Sequence, residues 1–396
     1  MISLIWKKSM DWVHHHSPYF VAFIFVIIAY VIRHVNLEYL SGDYYYYLRV
    51  WMQEIIARGG FASLGYGIGD YSVPYVFILT VLSYVTTEWM VGIKLVSIVF
   101  DLVMATAVGW LVYVSEPKDK GAHTQSIMAA LIVLFVPTVV MNSALWAQSD
   151  SIYTAFIIFA IVFLVKGKFI PSLIFYGIAF AFKLQSIFIL PVYIIVYVLN
   201  RRYSIYEFFI IPVMYYVMSL PAIIAGRSII DITLIYIRQT GTYPSMTLNM
   251  PNLYQWFPNR YDVFAYYAIG LFAVLMAISL FRLMLRKVII KRSVVLELAL
   301  WSVLMAVFFL PAMHERYLYI ADVLSVAYYM IRHKNGWVPI MTITISTLSY
   351  FPFLFGQAPV DLKIVSVLYI ILLYKFTQVL FIDIQKISEN PLEPSL

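Results

Sequence analysis

The sequence predicts an all-α polytopic membrane protein, and three observations carry that prediction. Only 12% of residues are charged and 63% are hydrophobic, where a soluble domain carries about 25% charged residues. So little polar surface cannot cover a globule. Apolar stretches long enough to cross a bilayer as helices, about 20 residues each, recur along the whole chain. Lys and Arg sit in the short connections between them, the distribution that orients membrane helices. The mean hydropathy of +0.86 agrees, as does the placing of many of the 33 Tyr at the ends of apolar stretches, as in an interfacial aromatic belt.

The net charge of +7 is spread over those connections, so it reads as an orientation signal and not as a nucleic-acid surface. The chain has no Cys, which excludes disulfides and thiol chemistry. Lys7 and Lys8 precede a long apolar span with no small-residue cleavage site, so an uncleaved first helix is expected. His14, His15 and His16 fit an interfacial position better than a metal site.

The first span is roughly 18–36. A long polar loop follows, SGDYYYYLRVWMQEIIARGGFASLGYGIGDYSVPY over residues 41–75, with Asp43 and Asp70 each in a Gly-Asp-Tyr triplet. Within it, Tyr44, Leu48, Trp51 and Ile55 recur at spacings of three and four, with Arg49, Gln53, Glu54 and Arg58 mostly off that face. This predicts a helix over 44–58 lying in the interface, ended by Gly59-Gly60. Residues 74–87 are apolar but short. Further spans are expected over 91–114, 125–142, 149–165, 169–183, 186–200, 205–225, 262–281, 294–312, 316–332, 337–354 and 363–384. Placing Lys7-Lys8, Lys118-Lys120, Lys166-Lys168, Arg201-Arg202, the run from Arg282 to Arg292 and Arg332-Lys334 in the cytoplasm gives about twelve crossings with both termini cytoplasmic. The weave closes only if 74–87 is a second in-plane helix. The outer segments are then 37–90, 142–150, 183–186, 226–261, 312–317 and 355–362. Residues 1–396 read as a single integral-membrane domain without repeats, and the tail SENPLEPSL as polar and frayed.

Nearly every unusual polar cluster falls in those outer segments. Asp43 fits a general base at the membrane–water boundary or an N-cap for the helix after it; Asp70 fits a turn residue or a second carboxylate. WAQSD, 146–150, offers in Trp146, Gln148 and Asp150 a stacking face, an amide and a carboxylate suited to sugar hydroxyls, or else an interfacial Trp and a helix cap. Lys183 and Gln185 lie in AFKLQ, a turn on the side away from the positive loops, where a Lys calls for a polar partner; a phosphate is the natural one, and snorkelling the plain alternative. His314, Glu315 and Arg316 in MHERYLY interrupt two apolar spans, with Arg316 offering a planar fork and His314 a second donor to phosphate oxygens. Asp322 is placed to pair with one of these. Lys94 and Asp101, seven residues apart on one face of the second span, read as internal polar glue. The loop 226–261, with Arg227, Arg238, Tyr243 and Asn249, suits covering an acceptor. No metal-ligand spacing, phosphate-cradling Gly loop or nucleophile–His pair is present. No metal or other cofactor is expected, although a carboxylate pair with Mg²⁺ or Mn²⁺ stays open.

Taken in order, GDY (42–44), WMQEI (51–55), GDYSVPY (69–75), WAQSD, AFKLQ and HERYLY resemble the integral-membrane glycosyltransferases of the GT-C fold. The nearest resemblance is to those that use dolichyl- or polyprenyl-phosphate hexoses, in a bacterial form. The resemblance implies a GT-C-like fold with two in-plane helices in the first outer loop. It implies an inverting hexosyl transfer from a polyprenyl-phosphate sugar to an envelope glycan, lipid or protein acceptor on the outer face of the cell membrane. It makes Asp43 the base that deprotonates the acceptor hydroxyl, and Arg316, His314 and Lys183 the groups that hold the donor phosphate. Tyr44, Asp70, Trp146, Gln148, Asp150, Gln185 and Glu315 are then expected around sugar and acceptor. Eukaryotic members carry Pro-Pro after the second Asp-Tyr, where this chain has Ser72-Val73-Pro74; Asp70 is therefore expected in the site with its role open. The alternative is a transporter or flippase for a lipid-linked or anionic solute, disfavoured because the charges lie at span ends and no repeat is found. A polysaccharide polymerase would carry a larger late outer loop.

Overall fold

The computed structural model describes residues 2–115, 121–201, 203–389 and 396, with side chains from residue 17 onward. The side chains of Lys7, Lys8 and His14–His16, the Lys118–Lys120 connection, Arg202 and most of the SENPLEPSL tail lie outside the described residues.

The chain is helical almost throughout. α1 (Ile2–His34) leads into the first loop, which holds a five-residue π turn (Tyr44–Leu48), α2 (Arg49–Ala57) and α3 (Val73–Val85). α4 (Trp89–Ser115), α5 (Ala122–Leu134) and the short α6 (Pro137–Val140) follow, then α7 (Asp150–Val165) and α8 (Phe169–Phe182) as a hairpin. Next come α9 (Leu190–Asn200), α10 (Ile210–Met218) and α11 (Leu220–Ile224), with α12 (Ile229–Thr233) and α13 (Ile235–Gln239) inside the loop after them. α14 (Tyr261–Leu285), α15 (Val295–Phe309), α16 (Tyr319–Arg332), α17 (Trp337–Phe355) and α18 (Leu362–Ser388) complete the chain. A two-residue strand β1 (Thr247–Leu248) pairs in parallel with β2 (Met313–His314), a feature the sequence did not suggest.

Six helices among the described residues are long and apolar enough to cross a membrane, and a seventh if the bent segment 122–145 is one span. The protein is therefore a multi-pass, all-α membrane protein. The other expected spans fall on shorter helices: α7, α8, Leu184–Asn200 and Ile205–Met218 are apolar at 10–17 residues, and α16 carries 319–332 of the expected 316–332. The range 125–142 is not one straight helix. Pro137 has no N–H to donate, and the axis turns by 57° at the break before it.

The first-loop pattern appears in the packing. Leu48, Trp51, Met52 and Ile55 are buried, Tyr44 packs against the same core, and Arg49, Gln53 and Arg58 are exposed. Gly59, at φ +81°, ends α2. Ser72 and Pro74 start α3.

The centre of the bundle is α7 against α4 and α8, with α15 and α16 alongside. Lys94 and Asp101 are both fully buried on α4, as glue, although each ties α4 to the end of α1 instead of to the other. Lys94 Nζ donates to the carbonyls of Asn36, Leu37 and Tyr39, in the turn after α1, at 3.0, 2.9 and 2.7 Å. Arg33 Nε donates to Asp101 Oδ2 at 2.8 Å, and Ser143 Oγ to the same oxygen at 2.6 Å. Buried charges survive when paired in this way. Asp322 corrects an expectation. It pairs with none of the HER residues; its Oδ2 accepts from Thr138 Oγ1 at 2.6 Å. It lies one turn inside α16 and faces α6, while Arg316 precedes that helix.

Candidate active site

Five of the six connections expected on the outer side, all but 355–362, contribute to one cavity of about 620 Å³, within the range of small-molecule sites. Its lining comes from the first loop (Asp43, Tyr47, Trp51, Asp70, Tyr71), the α7 entry (Ala147, Gln148), the α8–α9 turn (Lys183, Gln185, Ile187, Phe188), the loop after α13 (Gln239 to Tyr243), and the segment Leu310–Tyr317. None of the Lys/Arg-rich connections at 166–168, 201, 286–292 or 332–334 contributes.

Asp43 sits at the start of the π turn but makes no capping hydrogen bond there, so the cap reading fails. Its Oδ2 accepts from Trp146 Nε1 at 2.8 Å and from Gln148 Nε2 at 2.5 Å. The carboxylate faces the cavity, and no described residue donates to Oδ1.

Behind it lies a second, fully buried carboxylate. Asp150 Oδ1 pairs with Lys183 Nζ at 2.5 Å, and its Oδ2 accepts from Asn142 Nδ2 at 2.8 Å, with Arg316 Nε 3.6 Å away. Asp150 is thus the shared counter-ion of the two cations and not a surface that touches a ligand. Lys183 also lies 5.6 and 5.5 Å from the ring centres of Tyr71 and Tyr153, a cation–π setting.

Arg316 is 12% exposed and lines the cavity. Its guanidinium lies 5.5 Å over the Trp146 ring, and its Nε is buried without a hydrogen-bond partner. Among the described residues nothing accepts from any of its N–H groups. A guanidinium held by Asp150 and the Trp146 ring with its donors unused is a ready anion site.

Trp146 has no ring face open to a sugar. It is fully buried, stacked on Phe353 at 4.5 Å and edge-on to Tyr350, with Arg316 above. Tyr44 turns to the core and is absent from the lining. Asp70 is exposed at the cavity rim, and Gln239 Nε2 donates to its backbone carbonyl. His314 and Glu315 line the cavity, with Nδ1 and Oε1 3.9 Å apart; the His314 ring meets Tyr243 edge-on at 5.2 Å. Gln185 lines it too, with Oε1 unpartnered.

Tyr71 and Gln239 escaped the motif reading. Tyr71 OH donates to Gln148 Oε1 at 3.1 Å, and burial pushes its hydroxyl up to about 12, with Arg316 opposing. It remains a donor at any lower pH. Its signal was the repeat of Gly-Asp-Tyr, which drew attention to Asp70 instead. Gln239 closes the cavity beside Tyr243, which the loop reading names. Among the described residues no three His, Cys, Asp or Glu side chains come together as a metal site.

No protein-family model and no curated protein matches this chain.

Proposed function

We propose that the protein is an inverting hexosyltransferase that uses a polyprenyl-phosphate sugar, working at the outer face of the cell membrane. The observation that carries the reading is the Arg316 guanidinium, paired with Asp150 but hydrogen-bonded to no described residue, in the same cavity as Asp43. The cavity therefore offers an anion site and a carboxylate with a free oxygen. An apolar wing at Ile187, Phe188, Ile269 and Leu310 suits the lipid end of such a donor.

In this reading Asp43 Oδ1 takes the proton of the acceptor hydroxyl. The acceptor oxygen attacks the anomeric carbon on the face opposite the phosphate. The carbon–oxygen bond to phosphate breaks, its electron pair leaves on the phosphate oxygen, and the configuration inverts. Arg316, held by Asp150 and Trp146, stabilises the charge that grows on the leaving phosphate. Lys183 and His314 add positive charge and a donor beside it. Asp70, Gln185 and Glu315 stand where sugar and acceptor hydroxyls would lie. The GT-C-like arrangement of about twelve crossings, with α2 and α3 in the interface plane and both termini cytoplasmic, belongs to the same proposal. The partners it requires are the donor lipid, an envelope acceptor and the surrounding membrane.

The test is release of polyprenyl phosphate from short-chain polyprenyl-phosphate glucose, mannose and galactose by the purified protein in lipid, with membrane extract as acceptor source. Release with one sugar, reduced by about 10² or more in Asp43→Asn, is the expected result. No release with any donor would remove the transferase reading and favour solute transport.

A further inference from the structure

Trp146 and Gln148 flank Ala147, which has φ +62°, a left-handed backbone that a residue with a Cβ rarely adopts. The turn is pinned from both sides. Ser41 Oγ, from the first loop, donates to the Trp146 carbonyl at 2.9 Å, and Ser97 Oγ, from α4, donates to the Gln148 carbonyl at 2.6 Å. The result is that two side chains on either side of one residue aim their N–H groups at the same oxygen of Asp43, 2.8 and 2.5 Å away. The Gln148 amide has a fixed sense because Tyr71 OH donates to its oxygen end, which leaves the NH₂ end for Asp43.

We infer that Trp146 and Gln148 are positioning residues, which hold Asp43 by Oδ2 so that Oδ1 alone is presented to the acceptor hydroxyl, with Tyr71 setting the amide. This rests on Asp43 being the base. It assigns to these side chains a task other than contact with sugar, since Trp146 has no open face and the Gln148 amide is occupied at both ends.

Three variants test it. Trp146→Phe keeps a ring and removes one donor, Gln148→Leu removes the other, and Tyr71→Phe leaves both donors in place but frees the amide to turn. Each is compared with wild type for elution volume and melting, so that a misfolded sample is recognised. The expected result is a kcat lowered about tenfold to a hundredfold by misorientation, with the donor KM within about twofold of wild type. A raised donor KM at unchanged kcat would overturn the inference in favour of sugar contact. A second readout needs no turnover: the infrared carboxylate stretch of Asp43, identified as the band lost in Asp43→Asn. It should shift in Trp146→Phe and Gln148→Leu, because a hydrogen-bond donor is withdrawn, and an unmoved band would overturn the inference even if the enzyme is active. If wild type turns over no donor while the band shifts as expected, the reaction reading fails and the positioning of Asp43 stands.

Discussion

Asp150 shows how one residue decides the charge of a cavity without touching it. It is fully buried and balances Lys183 at 2.5 Å and Arg316 at 3.6 Å. Asp150→Asn leaves two buried cations facing each other, a loss of about 3–5 kcal/mol for a broken buried pair. Lys183→Met removes one cation and leaves Asp150 with Arg316, so it should cost less, and the double variant should recover part of the Asp150→Asn loss. Thermal unfolding in detergent measures all three; additive losses would show that the residues do not act as a unit. At this scale the sequence was informative about position and less about role. The order of Asp43, Trp146, Gln148, Lys183 and Arg316 at span ends marked them as site residues. That Trp146 is enclosed by Phe353 and Arg316, and that Asp150 faces inward, depends on contacts with α17 and the segment before α16, which no local pattern encodes.

The first loop carries Asp43 and Tyr71, and its shape depends on Gly69. That residue has φ +57°, and a Cβ there would lie 2.2 Å from Trp51 Cε2. Trp51 in turn packs edge-on against Tyr71 at 5.3 Å, the residue that orients Gln148. Gly69→Ala therefore combines backbone strain with displacement of an indole. It should cost about 1–3 kcal/mol and lower turnover through Tyr71. Gly226→Ala is the control, since it also has positive φ, at +93°, but nothing lies within 4 Å of its added Cβ. It should lose stability with little change in rate. Equal losses of turnover in the two would place the effect in backbone strain and not in Trp51. The α2 pattern and its Gly59 stop were legible because they are local; the approach of Gly69 to Trp51 was not, because it joins residues across the loop.

Across the whole molecule, packing is uneven. The span Arg292–Phe309 is 83% buried, whereas the α1 and α14 spans are 11% buried. α1 is nonetheless held at its end, where Lys94 takes three carbonyls and Asp101 takes Arg33. Lys94→Met leaves the Leu37 and Tyr39 carbonyls without that donor, while Asn36 keeps Tyr39 N–H, a loss on the order of 3 kcal/mol. Backbone amides 35–41 should then exchange faster, and unchanged exchange would show that the tether is not needed. Ser41 and Asp43 follow that tether directly, so turnover should fall with it. The multi-pass helical class was legible in composition together with the recurring apolar stretches, because apolar surface has to be covered by lipid. The bend at Pro137 was foreshadowed by one residue, and the pairing of β1 with β2 by none, since it joins segments far apart in sequence.

α14 supplies Tyr261 and Ile269 to the cavity wall and packs on α15, α9 and the 246–254 loop, yet only 11% of its span is buried. A tail leaving the cavity past Ile269 would run along this exposed span and meet no enclosing surface that measures it. On the proposed function, the protein would read the head of the donor lipid and ignore the length of the chain behind it. Donors with short and long polyprenyl tails should accordingly reach the same saturating rate, whereas a rate that climbs with each added isoprene unit would reveal a ruler where this fold has an open side.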